Sequence, residues 1–315
     1  MTAVYWHAFL YGLSFLGLWF AAGIVISAAL RIAKLWRLPV FTLSFFVLGL
    51  MTSLPEISIG VSALQGADPE IFVGNLLGGV IVVFLLIIPL LAFLNAGIKI
   101  PKLLTQNQIV LTLIVVLAPS LLTFDQQIEA AEAVLLILLY FLLFLFLMQK
   151  RPWWEKMLAS VTTQKLSLGK EALKIGSGVA ILWLASQQIV TSTLFFAEYI
   201  QVSPFFVSLI VISLGTNLPE LSLVARSIFN KQEELALADY LGSASANTLI
   251  LGVLTLFYGQ PIYLPNFVAH RLSFLVIGLL LFFVFARSKN TLSRAESALL
   301  LLGYVLFVGW EVLVI

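Results

Sequence analysis

The sequence predicts an all-α polytopic membrane protein, with about ten transmembrane helices arranged as a 5+5 inverted repeat. Three observations carry that prediction. Of 315 residues, 61% are hydrophobic and only 10% charged, and the mean hydropathy is +1.10, far too little charge to cover a soluble chain of this length. Apolar runs of about 18–25 residues, each long enough to cross a hydrocarbon core of about 30 Å, recur from one end to the other. One short polar motif also occurs twice, at an offset of 164 residues.

In order, the runs cover 7–30, 39–65, 71–94, 107–124, 127–148, 172–197, 204–229, 235–258, 270–287 and 295–313. The first lacks the basic leader and small-residue cleavage site of a signal peptide and is followed by Arg31, Lys34 and Arg37, so it reads as a span. Connections are short except around 149–171. There Pro152, several lysines, Trp153 and Trp154 read as an interfacial linker with the indoles at headgroup level. The chain thus divides into a first repeat, 1–150, a cytoplasmic linker, 151–171, and a second repeat, 172–315. With the N-terminus outside, 16 of the 17 Lys and Arg fall in cytoplasmic connections and only Arg271 falls outside. A missed span would scramble that asymmetry, so it supports both the orientation and the span count.

Composition also excludes function classes. A net charge of +2 suggests no nucleic-acid partner. The absence of cysteine removes disulfide and thiolate chemistry. The two histidines, His7 and His270, sit near span ends, which argues against a zinc site or histidine catalysis. No nucleophile–base pair lies at mid-membrane, so the chain is not expected to be an enzyme or to carry a resident cofactor.

The repeated motif is Thr52-Ser-Leu-Pro-Glu56-Ile-Ser58 on span two and Thr216-Asn-Leu-Pro-Glu220-Leu-Ser222 on span seven. The same offset pairs Leu77-Gly78 with Leu241-Gly242 without a gap. Five spans separate the copies, an odd number, so the second copy is inverted relative to the first. Such repeats place their binding sites at mid-membrane in secondary transporters.

Glu56 and Glu220 fall near the middle of their spans. A carboxylate there costs at least about 2.5–3.5 kcal/mol on insertion scales and is a functional hypothesis by default. Each follows a proline, which lacks an N–H and so frees the carbonyl four residues back, Met51 and Gly215 respectively. On a continuous helix Thr52 and Ser53 share a face with Glu56, and Thr216 and Asn217 share one with Glu220. Two carboxylates, two freed carbonyls, hydroxyls and an amide form an all-oxygen site of the kind Ca²⁺ prefers, with about 6–8 oxygens. Two close carboxylates cannot both stay ionised in a dry site. One divalent cation, two protons or two monovalent cations would each balance the pair, which links movement of one ion to counter-movement of another.

These segments resemble the alpha-repeats of the calcium/cation antiporter superfamily, whose motif reads roughly G-T-S-x-P-E and then G-N-x-x-G-S-N-x-x-N. The first copy matches with Thr52 to Glu56 and Gly74-Asn75-Leu-Leu-Gly78. The second matches with Gly215 to Glu220, then Asp239-Tyr-Leu-Gly242-Ser243 and Asn247. The resemblance implies that Glu56 and Glu220 are central Ca²⁺ ligands and that Thr52, Ser53, Thr216 and Asn217 lend further oxygens. It implies that Ser243 and Asn247 complete the site from span eight, and that spans one and six slide across a fixed core. Asn75 and Asp239, about one turn inside their spans, are read as entry-path groups or span-end caps. The glycines Gly74, Gly78 and Gly79 are read as helix-packing positions or as part of the motif. Gln187 and Gln188 either line the path or bond a neighbouring helix, and Glu129, Glu132 and Glu198 are read as solvated.

The sequence departs from the family pattern where Gly79 stands for serine and Val83 for a polar residue; their repeat partners are Ser243 and Asn247. Asn217 also replaces the usual serine. Loss of two side-chain oxygens tilts the expected counter-ion from Na⁺ towards H⁺. The expectation is a Ca²⁺/H⁺ antiporter of a prokaryotic inner membrane whose partners are inorganic cations and lipid. A Na⁺/Ca²⁺ exchanger is the alternative, and a passive cation channel or inactive homologue stands behind it.

Overall fold

The computed structural model describes residues 2–35, 45–46, 49–99, 105–149, 168–230, 233–264, 268–289 and 291–314. Most of the expected linker, with Trp153 and Trp154, lies outside the described residues. Each of the ten expected spans contains helix. Span 1 is Thr2–Leu35. Span 2 is described as Gly49–Thr52 and Leu54–Gln65. Span 3 runs as Pro69–Ile81, a π-helical stretch Val82–Ile87, and Ile88–Leu94. Spans 4, 5 and 6 are Gln106–Leu122, Ala130–Gln149 and Leu168–Tyr199. Span 7 comprises Pro204–Val207, a π-helical Ser208–Ile212, Ser213–Thr216 and Leu218–Asn230. Spans 8, 9 and 10 are Glu233–Tyr258, Val268–Lys289 and Arg294–Val314. The architecture is that of an all-α integral membrane protein.

The 164-residue offset extends well beyond the motif. Two short strands, β1 (Ile98–Lys99) and β2 (Gln127–Ile128), recur one offset later as β3 (Ile262–Tyr263) and β4 (Thr291–Leu292). Strand β1 pairs antiparallel with β4, and β2 with β3. Each ribbon therefore joins one repeat to the other, and the repeat operation exchanges the two ribbons. By the positive-inside orientation, one ribbon is cytoplasmic and the other extracellular. Helix starts repeat as well. The Glu129 N–H donates to Glu132 at 2.8 Å and the Ser293 N–H donates to Glu296 at 2.8 Å, each satisfying an N–H near a helix start.

Spans 3 and 8 form the centre. Their most apolar windows are 83% and 78% buried, against 28% for span 5 and 22% for span 10, which face lipid. Missing side chains allow backbone to meet backbone. A Cβ on Gly78 would strike the Leu209 carbonyl, and one on Gly242 would strike the Phe45 carbonyl. These contacts are images of each other under the repeat. Gly74, where a Cβ would meet the Phe205 carbonyl at 2.6 Å, extends the approach of span 3 to span 7. Proline effects are satisfied locally. Pro119 in span 4 leaves the Val115 carbonyl without its helical donor, and the Thr248 hydroxyl of span 8 donates to it at 2.9 Å.

Spans 1 and 6, at 34 and 32 residues, are about 51 and 48 Å long, well over the membrane core. They pack along each other. At one end Arg31 and Lys174 each approach Glu171 to 3.0 Å; at the other His7 stacks on Phe195 with ring centroids 3.9 Å apart. Positions 7 and 171, like 31 and 195, are one offset apart, so the two fastenings occupy equivalent places with different chemistry.

Candidate cation site

The motif helices do not merely kink. Helix is interrupted at Ser53 (φ −80°, ψ 8°) and at Asn217 (φ −87°, ψ 13°). It resumes at Leu54 and Leu218, so Pro55 and Pro219 occupy the second helical position, where a missing N–H leaves no helical bond unmade. Glu56 and Glu220 consequently sit in the first turn of a half-helix, where the positive end of the helix dipole favours a carboxylate or an anion-lined site. This corrects the expectation of one continuous face. Thr52 and Thr216 lie on the segments before the interruptions, whereas Ser53 and Asn217 cap the helices that carry the glutamates, their carbonyls accepting from Ile57 and Leu221 at 3.0 Å. Met51 and Gly215 fall in the turn preceding each interruption. Gly215 lies against the Phe15 ring of span 1.

The hydroxyls instead cross between repeats. The Thr216 side chain lies beside Glu56 and that of Thr52 beside Glu220, while the Thr52 hydroxyl donates to the Gly49 carbonyl of its own segment at 3.1 Å. Ser243 donates to Glu220 Oε1 at 3.2 Å and lies 3.2 Å from the Ser53 hydroxyl. Tyr240, a residue unremarked in the sequence, donates its hydroxyl to the Glu220 backbone carbonyl at 3.2 Å. The Thr216 hydroxyl donates to Asn75 Oδ1 at 3.1 Å. Glu56 and Glu220 are close enough to repel each other.

Burial is nearly complete. Thr52, Ser53, Glu56, Asn75, Thr216, Asn217, Glu220, Asp239, Ser243 and Asn247 are all 0–5% exposed. Glu56 Oε2, Glu220 Oε2 and Asn247 Oδ1 are buried without a hydrogen-bond donor. Among the described residues no Lys or Arg is buried beside them. Dry, unsatisfied carboxylates are costly, and a cation or protons would relieve that cost. No cluster of three or more His, Cys, Asp or Glu is placed to share a metal among the described residues. An ion between the glutamates would meet two carboxylates and neutral oxygens, with the buried carboxylate of Asp239 in electrostatic reach of Glu220.

The first-repeat wall differs. Val83 is buried on the π-helical stretch. A Cβ on Gly79 would come within 3.2 Å of Asn247 Nδ2 and 3.3 Å of Asn217 Nδ2. Both amides donate to backbone carbonyls, Asn247 to Leu76 at 3.4 Å and Asn217 to Ser213 at 2.8 Å. Gly79 thus faces two amide N–H₂ groups rather than a neighbouring helix backbone, unlike Gly74 and Gly78.

Asn75 and Asp239 do not line an exposed path. Both are fully buried, Asn75 tied to Thr216 and Asp239 within electrostatic reach of Glu220. Their helices start at Pro69 and Glu233, earlier than the hydropathy suggests, so both lie deeper than one turn. Gln187 bonds Gln65 on span 2 at 3.0 Å and Gln188 bonds Ser192 on its own helix at 3.0 Å. Glu129 and Glu198 are exposed, whereas Glu132 is half-buried as a cap. A hydroxyl cluster not foreseen joins Ser58 and Ser62 to Ser186 of span 6 at 2.9 and 2.8 Å. Serines spaced four apart on one helix were the available signal.

The family model for the sodium/calcium exchanger protein matches residues 6–149 and 172–313. A protein of Alkalimonas amylolytica named "Putative antiporter CaxA" is 26% identical over 94% of both chains. Inner membrane protein YrbG of Escherichia coli is 24% identical over 74% of both. Among solved structures, the sodium–calcium exchanger NCX_Mj, soaked with Na⁺ and Sr²⁺, superposes with a TM-score of 0.67 at 22% identity, covering 97% of this chain and 98% of that one. On the match to both halves of the sequence, this chain belongs to the sodium/calcium exchanger family.

Proposed function

We propose that this chain is a secondary active antiporter of a bacterial inner membrane that exports Ca²⁺ in exchange for H⁺, with Glu56 and Glu220 as the central ligands. The observation that carries the reading is the buried pair of mutually repelling carboxylates at the starts of two inverted half-helices, each with an orphaned oxygen. Thr52, Thr216, Ser53, Ser243 and Asn247 supply neutral oxygens around it, and the carbonyls of Met51 and Gly215 are further candidates. Ca²⁺ here is cargo.

Protons are favoured by the first-repeat wall. Val83 offers no oxygen, and the space beside Gly79 is bordered by amide N–H₂ groups, which repel a dehydrated Na⁺. A proton needs only a carboxylate, and two glutamates carrying two protons match the charge of one Ca²⁺. Alternation would move spans 1 and 6 together across the other eight. The bonds from Ser186 and Gln187 to span 2 would close the outer half.

Ca²⁺ flux into proteoliposomes, with Na⁺ and H⁺ gradients imposed separately, tests this. Uptake driven by an inside-acid gradient in nominally Na⁺-free vesicles is the expected result, with activity falling as the medium is acidified and protons compete for the glutamates. The second reading, Na⁺/Ca²⁺ exchange, is favoured by the family and by the shared fold with NCX_Mj. Uptake that requires internal Na⁺ and ignores the pH gradient would install it.

A further inference from the structure

A cavity of about 130 Å³ opens between the start of span 4 and the end of span 9, away from the cation site. Its lining changes character with depth. Gln106 and Asn107, in the first turn of span 4, and Arg287, in the last turn of span 9, stand at the mouth and are exposed. Ile109, Val110 and Phe283 lie further along the two helices and are buried or half-buried. The positive-inside orientation puts this mouth at the cytoplasmic headgroup level.

The polar groups at the mouth are uncommitted. Arg287 forms no ion pair, and the Gln106 and Asn107 side chains form no hydrogen bond, among the described residues. Three other basic groups are engaged: Arg31 and Lys174 with Glu171, and Arg294 over the Phe93 ring at 4.7 Å. Lys99, exposed on β1, adds positive charge to the same side of the membrane. A guanidinium and two primary amides offer N–H donors to an oxyanion, and Arg forks onto phosphate bidentately. Apolar walls directly behind such a mouth match an acyl chain.

We infer that this groove holds the phosphodiester headgroup of an anionic phospholipid of the cytoplasmic leaflet, with Arg287 on the phosphate, Gln106 and Asn107 on its ester or glycerol oxygens, and the acyl chain along Ile109, Val110 and Phe283. Basic pockets between spans on the cytoplasmic side are suited to such headgroups.

The test uses the intact protein in nanodiscs of phosphatidylcholine containing a minor fraction of phosphatidylglycerol. Lipid retained on release is read by native mass spectrometry. The wild type is expected to retain phosphatidylglycerol over phosphatidylcholine. Arg287→Gln is expected to lower that retention about five- to tenfold, the scale of one charge-assisted contact at a membrane surface. Arg287→Lys, which keeps the charge but loses the fork, is expected to fall between. Arg294→Gln, on the same side of the membrane, is the control for general surface charge. Equal retention by wild type and Arg287→Gln, an equal loss from Arg294→Gln, or displacement of the lipid by inorganic phosphate would overturn the assignment. The readout is lipid binding, so it stands or falls independently of the transported ions.

Discussion

Replacing Glu56 or Glu220 by Gln tests the cation site most directly, because the structure says what is kept and what is lost. Gln retains the shape and one acceptor oxygen. At position 220 that oxygen can still receive the Ser243 hydroxyl, now 3.2 Å away. What goes is one negative charge, and an N–H₂ takes the place of one carboxylate oxygen. At a Ca²⁺–oxygen distance of about 2.4 Å and an effective dielectric of about 20, the lost attraction is about 14 kcal/mol. Against it stands the relief of no longer burying that charge, several kcal/mol. A net loss of about 4 kcal/mol is a conservative figure, and at about 1.4 kcal/mol per decade it lowers Ca²⁺ affinity about 1,000-fold. Removing the repulsion between the carboxylates is expected to leave insertion and yield intact. The assay is Ca²⁺ uptake into proteoliposomes, paired with calorimetric Ca²⁺ binding in detergent. Near-wild-type uptake by either variant would refute the central-ligand role. Loss of uptake with unchanged Ca²⁺ binding would relocate that residue's role to the conformational step.

Three further outcomes follow from the packing. Ser62→Cys with Ser186→Cys, introduced into a chain without native cysteine, places sulfurs where hydroxyls lie 2.8 Å apart; oxidation is expected to stop transport and reduction to restore it, and transport by the fully cross-linked protein would remove this seam from the gating motion. Gly242→Ala drives a methyl into the Phe45 carbonyl and is expected to destabilise the fold by about 1–3 kcal/mol, read as a lower melting temperature in detergent; an unchanged melting temperature would contradict the close approach of spans 2 and 8. Thr248→Val leaves the Val115 carbonyl without a donor, at a cost of about 1–3 kcal/mol, and is expected to lower thermal stability while Ca²⁺ affinity stays the same.

The fold was legible in the sequence because a bilayer leaves few choices. Backbone polar groups in hydrocarbon must be satisfied within helices, so apolar run lengths mark out the spans. The motif residues were legible because carboxylates and prolines are costly in mid-membrane. What escaped depends on distances between spans. Spacing along one helix suggested Thr52 serving Glu56. The inverted packing instead sets Thr52 beside Glu220 and Thr216 beside Glu56, across the repeats. Tyr240 could not be read as a partner of Glu220, since nothing in sequence spacing relates spans 7 and 8 at that depth. Asn75 looked peripheral only because the polar residues before it blurred where span 3 begins. The repeat offset held the missing signal: it pairs Asn75 with Asp239, two polar residues in the most buried spans, where a merely capping role is hard to justify.

The two repeats share one backbone plan and differ where an ion would be chosen. The ribbons, the glycine approaches and the helix caps all obey the offset, so the scaffold is close to twofold. Beside the glutamates the symmetry fails: Ser243 donates to Glu220, whereas its counterpart Gly79 has nothing to donate to Glu56. Asn217 and Asn247, both from the second repeat, crowd into the room that Gly79 leaves, with their amide nitrogens foremost. Glu220 therefore has neighbours that favour a bound cation, while Glu56 has Thr216 and a wall that offers donors or methyl groups. In such a pair the two carboxylates need not exchange their ligands alike, since the cost of leaving each one charged differs. A symmetric scaffold is suited to two equivalent gates, and under the proposed exchange for H⁺ it is the shortage of oxygens beside Gly79 and Val83 that would disfavour a larger ion needing several oxygens at once.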